Sequence, residues 1–567
     1  MTDTGHPESA PTSPEVLGEG PLPADLWAAF LAYDRALLSN DVPALDASFA
    51  PGELTLRADH TGVLVGHDAI AAFRAGRPAA PERRLVRVHV RLPADDVALL
   101  VAEVASPAGA PGLQTQLWQR VAGRWRVAAA HVTAPPRPAR DRPVDGAVWR
   151  VVGAPLVAAS ATGPLTGETV AVKDLFAVAG QAVGAGVPAF LAEGRPAAEH
   201  AAAVAALLAA GASVTGLAQT DEFAYSVSGL GGHWGTPAHP TAPGRVPGGS
   251  TNGPGVAVAR GEVSVGLGTD TAGSIRVPGS YLGLWGLRTS TGRVDTRGLL
   301  PLAPSFDAVG WLTRDGATLY AVARTLVPEG PEDGQDALGE HPEVCTVPAL
   351  NALADPEIAR GVEAAARALA ARPLDLGVDL GAELAGWYAA FRTVQGFEAW
   401  RAHGAWVTEH PGALSAEVAA RMAWAATVTE DQQAAARVEL DRAAGLLRAG
   451  LAGRVLLLPS TATPAPPAAD PAALAAARDR TLQLTCLASL AGLPALTLPA
   501  PTSAPTPAPE PTPAHPTTAQ GSAAGSPLPY GLGLVGPAGS DLALIRFALG
   551  AAATLTGRPT PVTEDIR

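Results

Sequence analysis

The residues best equipped for chemistry lie between Val246 and Val294, in VPGGSTNGPGVAVARGEVSVGLGTDTAGSIRVPGSYLGLWGLRTSTGRV. Two glycine-rich turns flank a segment of small residues, and each turn carries a serine, Ser250 and Ser274. Glycine lets the backbone take positive φ and approach a bound group closely. No GK[ST] follows either turn, which argues against a phosphate-binding P-loop. Neither serine fits G-x-S-x-G, because Asn252 and Arg276 hold the last position of that pattern. The remaining chemistry is a serine nucleophile seated among free backbone N–H groups, here those of Thr271, Ala272, Gly273 and Ser274. The run Ile275-Arg276-Val277-Pro278 follows, and proline is tolerated in the first turn of a helix. Ser274 is therefore expected at a helix N-terminus, where unpaired N–H groups stabilise a developing oxyanion. One such donor contributes about 3 kcal/mol to the transition state.

GGSTNGPG followed by GTDTAGSIRVPGSYLGLWGLRTSTGRV resembles the amidase signature family, which uses a Ser-cisSer-Lys triad. The resemblance implies Ser274 as nucleophile and Ser250 as the bridging serine in a cis peptide bond. It implies Lys173, in TVAVKDLFAVAG, as the lysine, and the N–H groups of Thr271 to Ser274 as the oxyanion hole. The two serines stand 24 positions apart, as in the family. The glycine turn, Gly248 and Gly249, is assigned to substrate binding. So are Gln395 and Trp400 in FRTVQGFEAWRAHGAWV, which resembles the family's variable helical region at the substrate entrance. Thr220 to Phe223 and Pro301 to Asp315 also resemble family segments, and Asp307 in the second is read as structural. No metal and no cofactor is implied. The chain departs from the family at Thr251, Asn252 and Ala272, and these changes spare all three triad positions.

The triad asks something physical of Lys173. It acts as a base only when neutral, and an exposed lysine, with pKa about 10.4, is charged at pH 7. Burial lowers that value as long as no carboxylate compensates. Asp174 is the neighbour to watch, but successive strand side chains point to opposite faces, so the two need not pair.

The chain has 567 residues, 47% hydrophobic and 16% charged, which is enough for a large core and two or more domains. A net charge of −13 argues against a nucleic-acid partner. Cys345 and Cys486 are the only cysteines, which fits a reducing compartment. The first residues are polar and acidic, unlike a signal peptide, and no apolar run reaches the roughly 20 residues of a membrane span. A cytoplasmic protein with no membrane contact is expected.

Residues 1–22 read as disordered. From Pro23 a helix places Trp27, Phe30, Leu31 and Leu38 on one face, and short strands follow. In LVRVHVRL, Val86, Val88, Val90 and Leu92 alternate with polar residues, and a hairpin turns at Ala122-Gly123. AFLAYDRALLSNDVPALDASF, GHDAIAAFRAGRP and QLWQRVAGRWRVAAAHVT resemble the NTF2-like, SnoaL-like superfamily. They are most similar to the small SnoaL-like protein that works beside the amidases of the cyanuric-acid pathway. This α+β cone is placed at 23–133. Its polar candidates are Tyr33, Asp46, Arg74, Arg77 and His131. None is assigned chemistry, and His131 is read as a satisfied core or interface histidine on the face of Trp125, Val127 and Ala129. A proline-rich linker at 134–146 leads to an α/β amidase domain at 147–567. Its expected core is a mixed, mostly parallel sheet covered by helices. A Pro/Ala-rich insertion at about 501–527 reads as an exposed disordered loop between two core strands. His233 and His239 frame HWGTPAH without zinc-ligand spacing.

The expected function is hydrolysis of a small C–N amide bond through an acyl-enzyme. The N-terminal resemblance points to a ureide or carboxybiuret-like substrate. Expected partners are a small-molecule amide and, because NTF2-like domains often pair, a second copy of the chain in a homodimer. Three alternatives stay open: the ammonia-releasing A-type subunit of an amidotransferase, a non-catalytic binding protein with a degenerate site, and a main activity in the N-terminal cone.

Overall fold

The computed structural model describes residues 14–18, 22–59, 62–75, 83–105, 111–133, 144–328, 338–339, 341–501 and 528–557. Arg77, most of the proline-rich linker and nearly all of the expected insertion lie outside the described residues. The chain divides into two compact units, Met1–Asp141 and Arg142–Pro509 continued by Pro513–Arg567.

The first unit is α+β. Its strands are β1 (Glu15–Gly18), β2 (Leu56–Asp59), β3 (Gly62–Val65), β4 (Arg84–Ala94), β5 (Val97–Ala105), β6 (Pro111–Val121) and β7 (Arg124–Thr133). They form one sheet in the order β1-β4-β5-β6-β7-β2-β3. Helix Ala24–Ser39 buries Leu26, Phe30 and Tyr33, so its inner face is turned slightly from the expected one. These side chains meet Val88, Val90, Leu100, Trp118 and Val127 in one apolar cluster. Positive φ at Ala122 (50°) and Gly123 (76°) closes the β6–β7 hairpin where the sequence predicts it.

Two expectations are corrected here. Residues 1–22 are not wholly without structure, because β1 pairs in parallel with β4, and Glu15 reaches Arg87 at 2.8 Å. His131 is exposed and off the Trp125 face, which corrects the core half of its reading as a core or interface histidine. The β6–β7 register shifts between Leu117↔Ala129 and Trp118↔Val127, leaving Ala128 as an extra residue. A bulge of this kind reverses the inward parity beyond it, so Ala130 turns inward and His131 outward. Of the polar candidates, Arg74 and Tyr33 meet at 3.2 Å in the interior, and Asp46 lies 3.5 Å from His67.

The second unit is α/β. Its strands are β8 (Trp149–Val157), β9 (Thr169–Lys173), β10 (Ser213–Ala218), β11 (Val265–Asp270), β12 (Trp285–Arg288), β13 (Ala308–Thr313), β14 (Glu343–Thr346), β15 (Arg372–Pro373), β16 (Arg454–Pro459), β17 (Ala495–Pro499) and β18 (Gly531–Val535). They form an 11-stranded mixed sheet, β15-β14-β16-β18-β17-β12-β13-β11-β9-β10-β8. Four neighbouring pairs are parallel and six antiparallel, so the parallel share is smaller than the alternation of helices and strands implies. Strands β11 and β13 are buried at every residue, which a sheet covered on both faces requires. The region between Pro356 and Arg454 is mostly helical, as its composition predicts, with long helices Leu380–Glu409 and Glu430–Gly450. Among the described residues no helix is long and apolar enough to cross a membrane.

This topology sets the site. β9 and β11 are parallel neighbours, with Val172 opposite Leu267. Their carboxyl ends, Lys173 and Asp270, therefore emerge side by side, where open α/β sheets gather their functional loops.

β17 and β18 remain in antiparallel register up to Pro499↔Gly531, and Ala500 N–H donates to Tyr530 O at 3.0 Å. The strand ends thus sit at hairpin distance. Replacing residues 502–528 by Asn-Gly is expected to move the melting temperature by no more than about 3 °C, because loop length enters stability only logarithmically. Scanning calorimetry of the shortened chain checks this.

Candidate active site

Strand β9 delivers Lys173 into a fully buried position. Its Nζ lies 2.8 Å from Ser250 Oγ, 2.9 Å from Thr269 Oγ1 and 3.1 Å from Thr251 Oγ1. All three neighbours are hydroxyls, which can either donate or accept. The amine can therefore be satisfied both with and without its third proton. Burial lowers its pKa from 10.5 to about 7, against the opposing pull of Asp221, Asp270 and Asp307. Asp174 does not join them. Its carboxylate sits 2.9 Å from Arg150 and accepts from Gly184 N–H at 3.1 Å. The two side chains do part, as expected, but the cause is a turn: β9 ends at Lys173, and Asp174 stands outside the strand.

Ser250 follows a cis peptide bond from Gly249. The turn is pinned on both sides: Gly249 N–H donates to Val227 O at 2.9 Å, and Thr220 Oγ1 donates to Ser250 O at 2.9 Å. Glycine is needed here for space. A Cβ on Gly249 would lie 2.1 Å from Asp221 Oδ2, and one on Gly248, at φ 79°, would lie 2.9 Å from Pro278. These two assigned substrate-binding glycines are thus tightly packed against the Asp221 loop and the helix that follows Ser274.

Ser274 keeps 3% exposure, whereas Ser250 and Lys173 keep none. Thr251 N–H donates to Ser274 O at 3.3 Å and ties the two turns together. Helix Arg276–Leu282 begins two residues after Ser274, with Pro278 in its first turn as expected. The oxyanion expectation needs one correction. Gly273 N–H donates to Asp270 Oδ1 at 2.8 Å, and the N–H groups of the N-cap Ile275 and the first helical residue Arg276 donate to Asp270 Oδ2 at 3.1 and 3.3 Å. The Asp270 carboxylate caps this helix from the end of β11, and the next N–H, that of Val277, donates to Gly273 O at 2.8 Å. The N–H groups of Thr271, Ala272 and Ser274 make no hydrogen bond among the described residues.

Asp270 is the residue that sequence reasoning missed. It is fully buried and accepts from Arg276 Nε at 3.0 Å and Nη2 at 2.8 Å, with Arg288 at 3.5 Å. Burial alone would raise its pKa, but the Arg276 and Arg288 charges outweigh burial and hold it well below the carboxylate range. Arg276 also bonds Thr485 O and Ser489 Oγ, fixing the Ser274 turn to helix Pro471–Leu490. The only signal in the sequence was the acid and base flanking the turn in GTDTAGSIR. Asp307, read as structural, accepts from Thr271 Oγ1 at 2.5 Å and from Leu302 and Ala303 N–H.

The departures from the family pattern land beside the lysine. Thr251 supplies one of the three hydroxyls on Lys173, and its methyl fits because Gly268 opposite has no Cβ; one there would lie 2.4 Å away. The Asn252 amide is fully buried with neither end partnered among the described residues. Gln395 is buried in helix Leu380–Glu409, one face with Tyr388 and Arg392 by helical spacing. Trp400 lies off that face, packs on the core and lies against Gly404. His239 bonds Tyr281 O, and His233 contacts Glu222, so the two histidines serve separate structural contacts.

Asp270→Ala would leave Arg276 and Arg288 buried without their carboxylate. The expected loss is about 3–5 kcal/mol, read by chemical denaturation at pH 7. Because the folded pKa is depressed, the stabilisation from Asp270 is present above the ordinary carboxylate value, and it is lost as pH falls through the folded value.

A family model described as Amidase matches residues 154–374, and one described as AtzH-like matches residues 16–136. The 2-amino-5-chloromuconic acid deaminase of Comamonas testosteroni is 33% identical over 409 residues, 68% of this chain and 81% of that protein. Amidase 1 of Oryza sativa subsp. japonica is 47% identical over 185 residues, 33% of this chain and 41% of that protein, so the chain spans less than half of that relative's length in the match. A structure from "An unexpected vestigial protein complex reveals the evolutionary origins of an s-triazine catabolic enzyme" superposes with a TM-score of 0.57 at 25% identity, covering 70% of this chain and 84% of that one. With this site geometry on the same α/β frame, the chain belongs to the amidase family, preceded by an AtzH-like segment.

Proposed function

We infer that the chain hydrolyses a small C–N amide bond through an acyl-enzyme. The observation that carries the reading is the Lys173 amine, buried to a pKa of about 7 and 2.8 Å from Ser250 Oγ, with no carboxylate in contact among the described residues. In this reading neutral Lys173 takes a proton from Ser250, and Ser250 takes the proton of Ser274. Ser274 Oγ attacks the amide carbonyl. The free N–H groups of Thr271, Ala272 and Ser274 receive the oxyanion, with Gly273 committed to Asp270. The relay returns a proton to the leaving nitrogen, and water then releases the acid. The order of burial supports these roles, because only Ser274 retains exposure.

The substrate we propose is a ureide or carboxybiuret-like amide. The AtzH-like match and the likeness to a structure tied to s-triazine catabolism favour it. Its test is ammonia release from biuret, allophanate, malonamide, aliphatic and aryl amides, with Ser274→Ala measured beside the native chain. The substitution is expected to lower kcat at least ~10³-fold. Equal rates in both proteins would remove Ser274 from the mechanism.

The reading also fixes a pH dependence. Activity needs neutral Lys173, so kcat/KM is expected to rise with pH through an apparent pKa of about 7. The folded pKa lies below the unfolded value of 10.5, so the unfolded state binds more protons between about 7 and 10.5. The destabilisation due to Lys173 is therefore full below about pH 7 and is relieved as pH rises toward 10.5. Lys173→Met is expected to abolish turnover and flatten that part of the stability curve, as read by denaturation at several pH values.

A further inference from the structure

Three arginines from three helices converge beside the Asp221 loop. Arg392 lies on helix Leu380–Glu409, Arg421 on helix Ala416–Ala425 and Arg478 on helix Pro471–Leu490. Arg421 donates to Tyr225 O, and Tyr225 stands two residues before Val227, whose carbonyl anchors Gly249 N–H. Arg392 lies 5.7 Å from the Tyr388 ring centroid and 5.1 Å from that of Trp424. Tyr388 is 6% exposed, and its hydroxyl has no partner among the described residues; Arg478 Nε is buried and equally unpartnered. All three guanidinium charges act on the Tyr225 phenol, and those of Arg478 and Arg392 act on Tyr388.

Three carboxylates stand near the three arginines, but the Tyr388 hydroxyl and Arg478 Nε remain without a partner among the described residues. Glu417 pairs with Arg421, one turn along the same helix. Asp479 acts on Tyr388 from beside Arg478, and Asp221 is already bound by Gly229 and Gly231 N–H. Burial, and after it the charge of Arg478, lowers Arg421 to about 9. Burial also pushes Tyr388 up to about 12 and raises Tyr225, so both phenols keep their protons and remain donors. A cluster of cations and neutral O–H donors suits an anion. A guanidinium fork matches the two coplanar oxygens of a carboxylate.

Helix Pro471–Leu490 connects this cluster to the reacting centre. Thr485 Oγ1 donates to Ala272 O in the Ser274 turn. Arg478 is seven residues earlier, two turns back on the same face and about 10 Å along the axis. We propose that Arg392, Arg421 and Arg478, with the hydroxyls of Tyr225 and Tyr388, form a carboxylate subsite that holds the acidic end of a substrate whose amide carbonyl lies at Ser274. The proposal rests on the amidase reading above and names the substrate class, an amide carrying a carboxylate at a set distance.

The test is a length series, malonamate, succinamate, glutaramate and adipamate, each against its neutral diamide. Binding to the full chain carrying Ser274→Ala is measured by calorimetry. At least one acid is expected to bind tenfold or more tightly than its diamide. Arg478→Gln in the same background is expected to bring that ratio to about one, Arg478→Lys to restore part of it, and Tyr388→Phe, a milder change if the arginine variant fails to fold, to lower it severalfold. No acid binding better than its diamide, or a ratio that survives both Arg478→Gln and Tyr388→Phe, overturns the subsite. Hydrolysis by the native chain is followed separately. Turnover lost with Ser274→Ala alongside an unaltered acid preference in Arg478→Gln sinks the subsite and leaves the amidase reading standing. Arginine-dependent binding alongside equal turnover with and without Ser274 sinks the amidase reading and leaves the subsite.

Discussion

One buried carboxylate organises the reacting turn. Asp270 ends a core strand, and two arginines keep it ionised where burial alone would favour its protonated form. In exchange it holds three backbone donors on either side of Ser274, those of Gly273, Ile275 and Arg276. A turn built from small residues has little packing of its own to fix it. Here its shape comes from charge-assisted hydrogen bonds, which are stronger and more directional than neutral ones. The same carboxylate takes the N–H of Arg276, the first residue of the helix, and so leaves the N–H groups of Thr271, Ala272 and Ser274 as the donors the proposed mechanism uses.

Lys173 shows the opposite solution to the same problem. A buried cation is normally paired. Lys173 instead has hydroxyl neighbours, with carboxylates near enough to feel but not to touch. Desolvation then wins, and the amine titrates near neutrality. Asp270 and Lys173 end parallel strands within the same wall of the sheet. The sheet thus sets a strongly ionised acid and a weakly ionised base next to each other, separated by which of them receives an arginine.

Close packing ties the two turns into one object. Gly249 admits Asp221, Gly248 admits the helix after Ser274, and Gly268 admits the methyl of Thr251. That last fit shows why Thr251 is tolerated beside the lysine. Its extra methyl fills space that a glycine on the neighbouring strand leaves open, and its hydroxyl keeps the bond to Nζ. No such account is available for Asn252, whose buried amide the surrounding residues leave unpartnered.

The sequence by itself carried the two-unit order and the α/β class of the second unit, and its resemblance to the amidase signature family named Lys173, Ser250 and Ser274 as candidates. These are properties of local pattern: glycine turns, alternation in strands, and short motifs whose residues lie close in the chain. It did not determine why Lys173 and Asp174 part, since β9 ends at Lys173 and the turn that carries Asp174 away is set by the fold. Only the tertiary structure decided which N–H groups are free, because Asp270 reaches them across the end of a strand. It decided the sheet's antiparallel majority and the outward turn of His131, which depends on one extra residue in a bulge. It also gathered Arg392, Arg421 and Arg478 from three helices far apart in sequence. Contacts of that range leave no local signature, because each arginine read alone is an ordinary residue on a helix.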